Sequence, residues 1–291
     1  MKQLTTVLSV LVSSGLMGCA TQHSAKWDEK VTTAAGTVDA TAAGDADALW
    51  AARKDASKHM EAVAKWEALA ATTADAELYA KLARGWYLAG ERYAFEEKND
   101  KRDEAYQKGL DWATKSLKLS APEFAKMMAE GKTHAESITK APKESIPAMY
   151  WYASSLGKWA ASKGFATRLR YKDDIKATID HIKSMDEMYF YAAPWRFLGG
   201  YEAQTAGLAG GSLDKSEENF KKAVQLAPNY LGTKVLWADY LCVKRQDKAT
   251  FEKLLKDVVA ASATAEPEIE AENLLEQEKA KKLLSQIDEK F

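Results

Sequence analysis

The stretch Ser216-Glu-Glu-Asn-Phe220-Lys-Lys-Ala223-Val-Gln-Leu226-Ala-Pro228 sets a small residue, an aromatic four positions on, a small residue three further and a proline five beyond that. This is the spacing of a helix packed closely on the one before it. Small side chains let two backbones approach, the aromatic fills the gap to the next pair, and the proline stops the helix. Three more segments fall into the same phase: Ala62/Trp66/Leu69/Ala74, Gly109/Ala113/Ser116/Ala121 and Ile175/Ile179/Ile182/Glu187. Their tails agree as well, with Ser116-Leu-Lys-Leu119 and Ile182-Lys-Ser-Met185 matching Ala223-Val-Gln-Leu226. A complementary pattern marks partner helices: an aromatic, then Leu-small three residues on, then an aromatic three beyond the small residue. It is met at Tyr79/Leu82/Ala83/Trp86; Thr233/Leu236/Trp237/Tyr240 keeps the spacing with Thr at the first aromatic position and Trp at the small one, and Trp195/Leu198/Gly199/Tyr201 and Tyr150/Ala153/Ser154 fit more loosely. Any alanine-rich helix yields an isolated match. Two patterns alternating in the right order predict a series of helical hairpins.

Such a series is a tetratricopeptide-like stack, and the expected fold is all-α, an irregular solenoid of hairpins. Composition agrees, with 51 alanines against 16 glycines and 6 prolines, the best helix former against the two worst. The charge balance, 41 Lys and Arg against 42 Asp and Glu, excludes a nucleic-acid binder that works through bulk charge. The two cysteines, Cys19 and Cys242, exclude a disulfide scaffold and a thiolate-rich zinc site. Cys242, among apolar residues of a helix, reads as a small buried hydrophobe. Longer connections are expected near 96–103, 127–147 and 205–213. The last stretch, 267–291, places Ile269, Leu274, Leu275, Leu283, Leu284 and Ile287 among many charges and reads as a C-terminal capping helix over the last hairpin.

The N-terminus sets the compartment. Lys2, a short apolar run from Leu4 to Val12 and the ending Leu16-Met-Gly-Cys19 form a secretory signal peptide over 1–18. Leu-x-Gly-Cys resembles the bacterial lipoprotein box, so Cys19 is the expected lipidation site, and Ala20, where Asp would be the retention signal, resembles sorting to the outer membrane. Acyl chains on one residue anchor a protein through the apolar area they bury. Residues 19–44, rich in Thr, Ala, Gly and Ser with Trp27 as the one aromatic, read as a lipidated flexible tether. The helical domain is expected over 45–291.

From about Trp50 onward the chain resembles the T component of tripartite ATP-independent periplasmic (TRAP) transporter systems, the TatT family. The stretches that carry the resemblance are Tyr150-Trp151, Gly157-Lys158-Trp159, Lys172-Asp173, Pro194-Trp195-Arg196 with Gly199, Ala209-Gly210-Gly211, Phe220-Lys-Lys-Ala223, Pro228-Asn229-Tyr230-Leu231, Gln246-Asp247 and Glu272-Asn273. Ser212 stands where the family pattern has Asp, and it can cap the next helix equally well. The resemblance implies a lipid-anchored periplasmic accessory protein, an internal path for a small-molecule ligand, the solute-binding P component as partner, and self-association, with a trimer among the assemblies it allows.

No catalytic constellation is visible. His23, His59, His134 and His181 lie far apart, with no second ligand at metal-binding spacing, so no metal or cofactor is expected. The acidic pairs Asp173-Asp174 and Glu217-Glu218 are sequence neighbours that point different ways on a helix. Gly207-Leu-Ala-Gly210-Gly211 lacks the lysine of a phosphate loop. A binding role is therefore expected, not an enzymatic one. The first helices of a tetratricopeptide stack line its concave face, and their inward phases select Arg84, Tyr87, Trp151, Trp159, Arg196 and Lys234. Cations beside aromatics suit an anionic group on an apolar body. A tetratricopeptide-like scaffold for proteins or peptides of the cell envelope is the alternative that the fold alone leaves open.

Overall fold

The structure, a computed structural model, describes residues 21–31, 37–207 and 210–291. The signal peptide, Cys19 and the Ala209 of the resemblance lie outside the described residues. Helices follow one another as five hairpins: α1 (Ala40–Ala51) with α2 (Ala56–Ala70), α3 (Ala76–Phe95) with α4 (Asn99–Ser120), and, after the short α5 (Pro122–Ala129) and α6 (His134–Ile138), α7 (Ile146–Ser162) with α8 (Phe165–Met185). Then come α9 (Tyr189–Thr205) with α10 (Leu213–Leu226), and a helix made of α11 (Gly232–Leu236), a π-helical turn Trp237–Cys242 and α12 (Val243–Arg245), paired with α13 (Lys248–Ala260). The chain ends in α14 (Glu270–Ser285) and α15 (Ile287–Lys290). Among the described residues there is no strand, and no helix is long and apolar enough to cross a membrane.

The small-residue spacing does what close packing requires. Gly199 on α9 faces the ring of Phe220 on α10, and a Cβ there would come within 2.8 Å of it. Ser216 Oγ donates to Gly199 O at 2.7 Å beside the same contact. Asp39, Asp55, Asp75 and Asp247 cap α1, α2, α3 and α13, and Ser212 Oγ accepts from Lys215 N at the start of α10, so the departure at Ser212 keeps the cap. Cys242 is buried, and burial pushes its thiol up to about 12.

Three expectations need correction. The connection expected at 96–103 is a three-residue turn, with Glu97 in the left-handed region (φ 61°). Its far half, a charged run without a large apolar residue before Tyr106, is the exposed start of α4. Part of the segment read as a flexible tether is docked on the body. Residues 21–31 lie against the body because Trp27 has a ring to bury and sets it edge-on to Phe124, centroids 5.1 Å apart, and α1 begins at Ala40 rather than 45, capped by Asp39. Thr21 N donates to Thr167 Oγ1 at 2.9 Å, and His23 N to Tyr171 OH at 2.7 Å. Finally, α14 covers α11 and α13 as a cap should, but it also reaches back to α3, so the solenoid closes on its own second hairpin.

Gly199→Ala is expected to cost about 2 kcal/mol through overpacking on Phe220. Gly157→Ala, whose added Cβ meets only Ile175 at an ordinary 3.8 Å, should be neutral or mildly stabilising. Urea denaturation of the two variants separates them.

Candidate functional site

Closure turns the concave face into a cavity of about 810 Å³. The first helices of the second to fifth hairpins each lend it one helical face: Arg84, Tyr87, Leu88 and Glu91 from α3, then Tyr150, Trp151, Ser154 and Lys158 from α7. Arg196, Phe197, Gly200 and Tyr201 come from α9. In the last hairpin Leu236, Asp239, Tyr240 and Lys244 do the same across the π-turn, a helical irregularity often found where a helix lines a site. The terminal helix completes the wall with Glu272, Leu275, Glu276 and Lys279.

Two buried carboxylates fasten that wall. Glu91 Oε1 takes Lys158 at 2.7 Å and the Tyr106 hydroxyl at 2.7 Å, while Oε2 takes Lys279 of α14 at 2.8 Å. Burial alone would raise the Glu91 pKa, but the ammonium groups of Lys158 and Lys279 outweigh it and hold the carboxyl far below its usual range. Glu272 of α14 binds Arg84 at 2.7 Å and Arg53 at 2.8 Å. It too is held low, burial being overcome first by Arg84 and then by Arg53. Lys279, against the effect of its burial, is pushed up to about 12 by Glu276 and Glu91. Asn273 adds neutral bonds, accepting from Leu231 N at 3.1 Å and donating to Asn229 O at 3.0 Å.

Arg196 is different. It is 4% exposed, and among the described residues no carboxylate pairs with it. Its guanidinium donates to Tyr191 O at 2.9 Å, Phe190 O at 3.4 Å and Tyr150 OH at 3.3 Å, and lies 3.9 Å over the Tyr230 ring. The two carbonyls belong to a left-handed turn in which Phe190, Tyr191 and Ala192 have φ of 44°, 59° and 55°. Such a turn costs on the order of 1–2 kcal/mol per non-glycine residue, and Arg196 is what bridges it. The hydroxyls of Tyr87, Tyr230 and Tyr240 have no side-chain or backbone partner among the described residues and belong to the cavity lining. Burial pushes the Tyr87 and Tyr230 phenols upward, so both remain protonated donors. A buried cation among phenol donors, next to Leu88, Phe197, Leu236 and Leu275, suits an anion with an apolar body.

Of the six residues selected from the sequence, Arg84, Tyr87, Trp151 and Arg196 meet at this cavity. Trp159 and Lys234 do not. Trp159 is 3% exposed and packs on His23 and Tyr171. Eight residues beyond Trp151, it has rotated off the cavity stripe, and Lys158 holds that place. Lys234 points away, toward Asp257 of α13 at 3.8 Å. The residues that the inward phases did not select are Glu91, Lys158, Tyr150, Tyr230, Tyr240, Glu272 and Lys279. Four of them, Tyr150, Lys158, Tyr230 and Glu272, stood in the stretches that carry the family resemblance, and that shared membership was the one signal for them. The histidines are dispersed, His59 on Gly85 O, His134 on Thr178 Oγ1 and His181 on Ala141 O. No group of three or more metal-ligating side chains occurs among the described residues.

Glu91→Gln leaves two ammonium groups against one neutral amide and should cost about 3–5 kcal/mol in urea denaturation. Acid acts through the histidines. Burial lowers His59 and His134 from 6.5 to about 4, so between those values the unfolded chain binds protons that the folded chain refuses. Stability is complete above pH 6.5 and falls as pH drops toward 4. The melting temperature should follow this course, and His134→Phe, which keeps a ring beside Tyr152 (5.8 Å away), should flatten it.

Among curated proteins no sequence matches the chain. The family model of the TRAP transporter T-component matches residues 48–291, all of the hairpins from the end of α1 through α14 and α15. By that match the chain belongs to the TRAP transporter T-component family and is an accessory component of a TRAP transport system.

Proposed function

We propose that this chain is held through acylated Cys19 on the periplasmic side of the bacterial outer membrane. There it binds a small, anionic, partly hydrophobic solute in its cavity and relays it to or from the solute-binding P component. In this reading it is a homo-oligomeric carrier without enzymatic activity or cofactor. The observation that carries it is Arg196, a buried cation with no carboxylate partner among the described residues, in an aromatic-lined cavity where Arg84, Lys158 and Lys279 are ion-paired. A cation left in that state favours a ligand that brings the missing negative charge. The alternative, a scaffold for peptides or proteins, would need an open concave face. Here α14 crosses that face, which favours a small ligand.

Native mass spectrometry of the mature chain tests the proposal. A bound small anion released on activation is the expected result, and added decanoate should bind where decanol does not. Arg196→Gln, which keeps a donor for the Tyr191 carbonyl and removes the charge, should weaken decanoate binding by about tenfold or more. An empty cavity that takes up neither amphiphile would end the carrier reading.

A further inference from the structure

Among the described residues four large hydrophobic side chains are exposed, and two of them, Phe165 (62% exposed) and Leu169 (43%), lie one turn apart at the start of α8. Both line the cavity, as does Arg168 beside them. They therefore form part of its mouth. The same turn carries Arg168 and Arg170, exposed and without an ion-pair partner among the described residues, and Lys163, just before α8, is loosely paired with Asp103 at 3.8 Å. The first acids that follow are Asp173, held by Lys172 at 2.6 Å, and Asp174. The rim is apolar and basic.

One residue in this turn faces inward. Thr167 is 1% exposed and accepts the backbone N–H of Thr21 at 2.9 Å. His23 N–H is fixed on Tyr171 one turn further along α8. The N-terminal segment is thus pinned along α8 on the face opposite the cavity mouth, about one helix width of 10 Å from it. Thr21 is two residues from Cys19, and two residues span at most about 7 Å. An acyl chain on Cys19 would start across α8 from Phe165 and Leu169, no more than about 20 Å away, close enough for both to meet one leaflet.

We infer that the start of α8 is a membrane-docking surface, laid on an anionic lipid leaflet with the cavity mouth facing the lipid. This rests on the lipid-anchored reading above. Phe165 and Leu169 enter the interface, Arg168, Arg170 and Lys163 meet the lipid phosphates, and the acyl group supplies the second membrane signal that stable anchoring requires. Three separate observations agree on the occupant: where the chain leads, the sign of the charge, and continuity with a cavity suited to an amphiphilic anion. Such a ligand would pass between leaflet and cavity without its apolar body crossing water.

The test uses the mature chain with Cys19→Ser, which removes the acyl group and isolates the surface. Sedimentation with vesicles of phosphatidylcholine, alone or mixed with phosphatidylglycerol, should show binding to the mixed vesicles that weakens with salt. Phe165→Ser/Leu169→Ser and Arg168→Glu/Arg170→Glu should each reduce it by about tenfold or more. Both variants alter solvent-facing side chains, and circular dichroism should show unchanged helicity. Absence of binding to phosphatidylglycerol vesicles, or equal binding by both variants, overturns the inference. So does a chain whose oligomer breaks up in Phe165→Ser/Leu169→Ser, since the face would then join copies of the protein. The intact mass of the native mature chain tests the anchor separately. Acylation without vesicle binding removes the docking surface and keeps the anchor, whereas binding without acylation does the reverse.

Discussion

The carboxylate of Glu91 is where this molecule becomes closed. It stands on α3, receives Lys158 from α7, Tyr106 from α4 and Lys279 from α14, and so ties three neighbouring helices to one that arrives from the far end of the chain. A buried ion pair adds little net stability over an apolar contact of the same shape, yet it is costly to leave half-made. That asymmetry gives α14 one register on α3. Shifting it by one residue would strand Lys279, and with it Glu272 and both of its arginines, away from their partners. The cavity has a fixed wall because the charges permit one arrangement.

The hairpins were legible because their determinants are local. A small residue at Gly199 and an aromatic at Phe220 belong to adjacent helices, and periodic spacing records their contact. The inward phases of the first helices were equally local, and they placed Arg84, Tyr87, Trp151 and Arg196. Drift along a helix defeated the same logic at Trp159, and at Lys234 an acid on the neighbouring helix drew the side chain away. The closure could not be read in this way. Lys279 and Glu91 are 188 positions apart, and charges on α14 look like an ordinary solvated face until the helix they meet is known. The docked position of Trp27 was hidden for a related reason, since the polar composition around it speaks for a tether and only Phe124 shows what covers its ring.

Membership of the TRAP T-component family and the geometry of the cavity bear on each other. Tyr150, Lys158, Arg196, Tyr230 and Glu272, scattered through the stretches that mark the family resemblance, gather around one space. The left-handed turn at Phe190–Ala192 belongs to that space as well. Its strain is met by Arg196, and the same residue offers the cavity a buried charge without a carboxylate partner among the described residues. Shape and charge at this end of the cavity are thus set by one side chain.

Closure also limits what the fold can become. An open solenoid grows or shrinks by whole hairpins, because each repeat touches only its neighbours. Here α14 must land on α3. One further hairpin would carry α14 roughly 10 Å away from α3, about the spacing of packed helices, and one fewer would drive it into the wall. The number of repeats is therefore locked in this chain, and the parts left free to change are the connections between hairpins and the side chains that face the enclosed space.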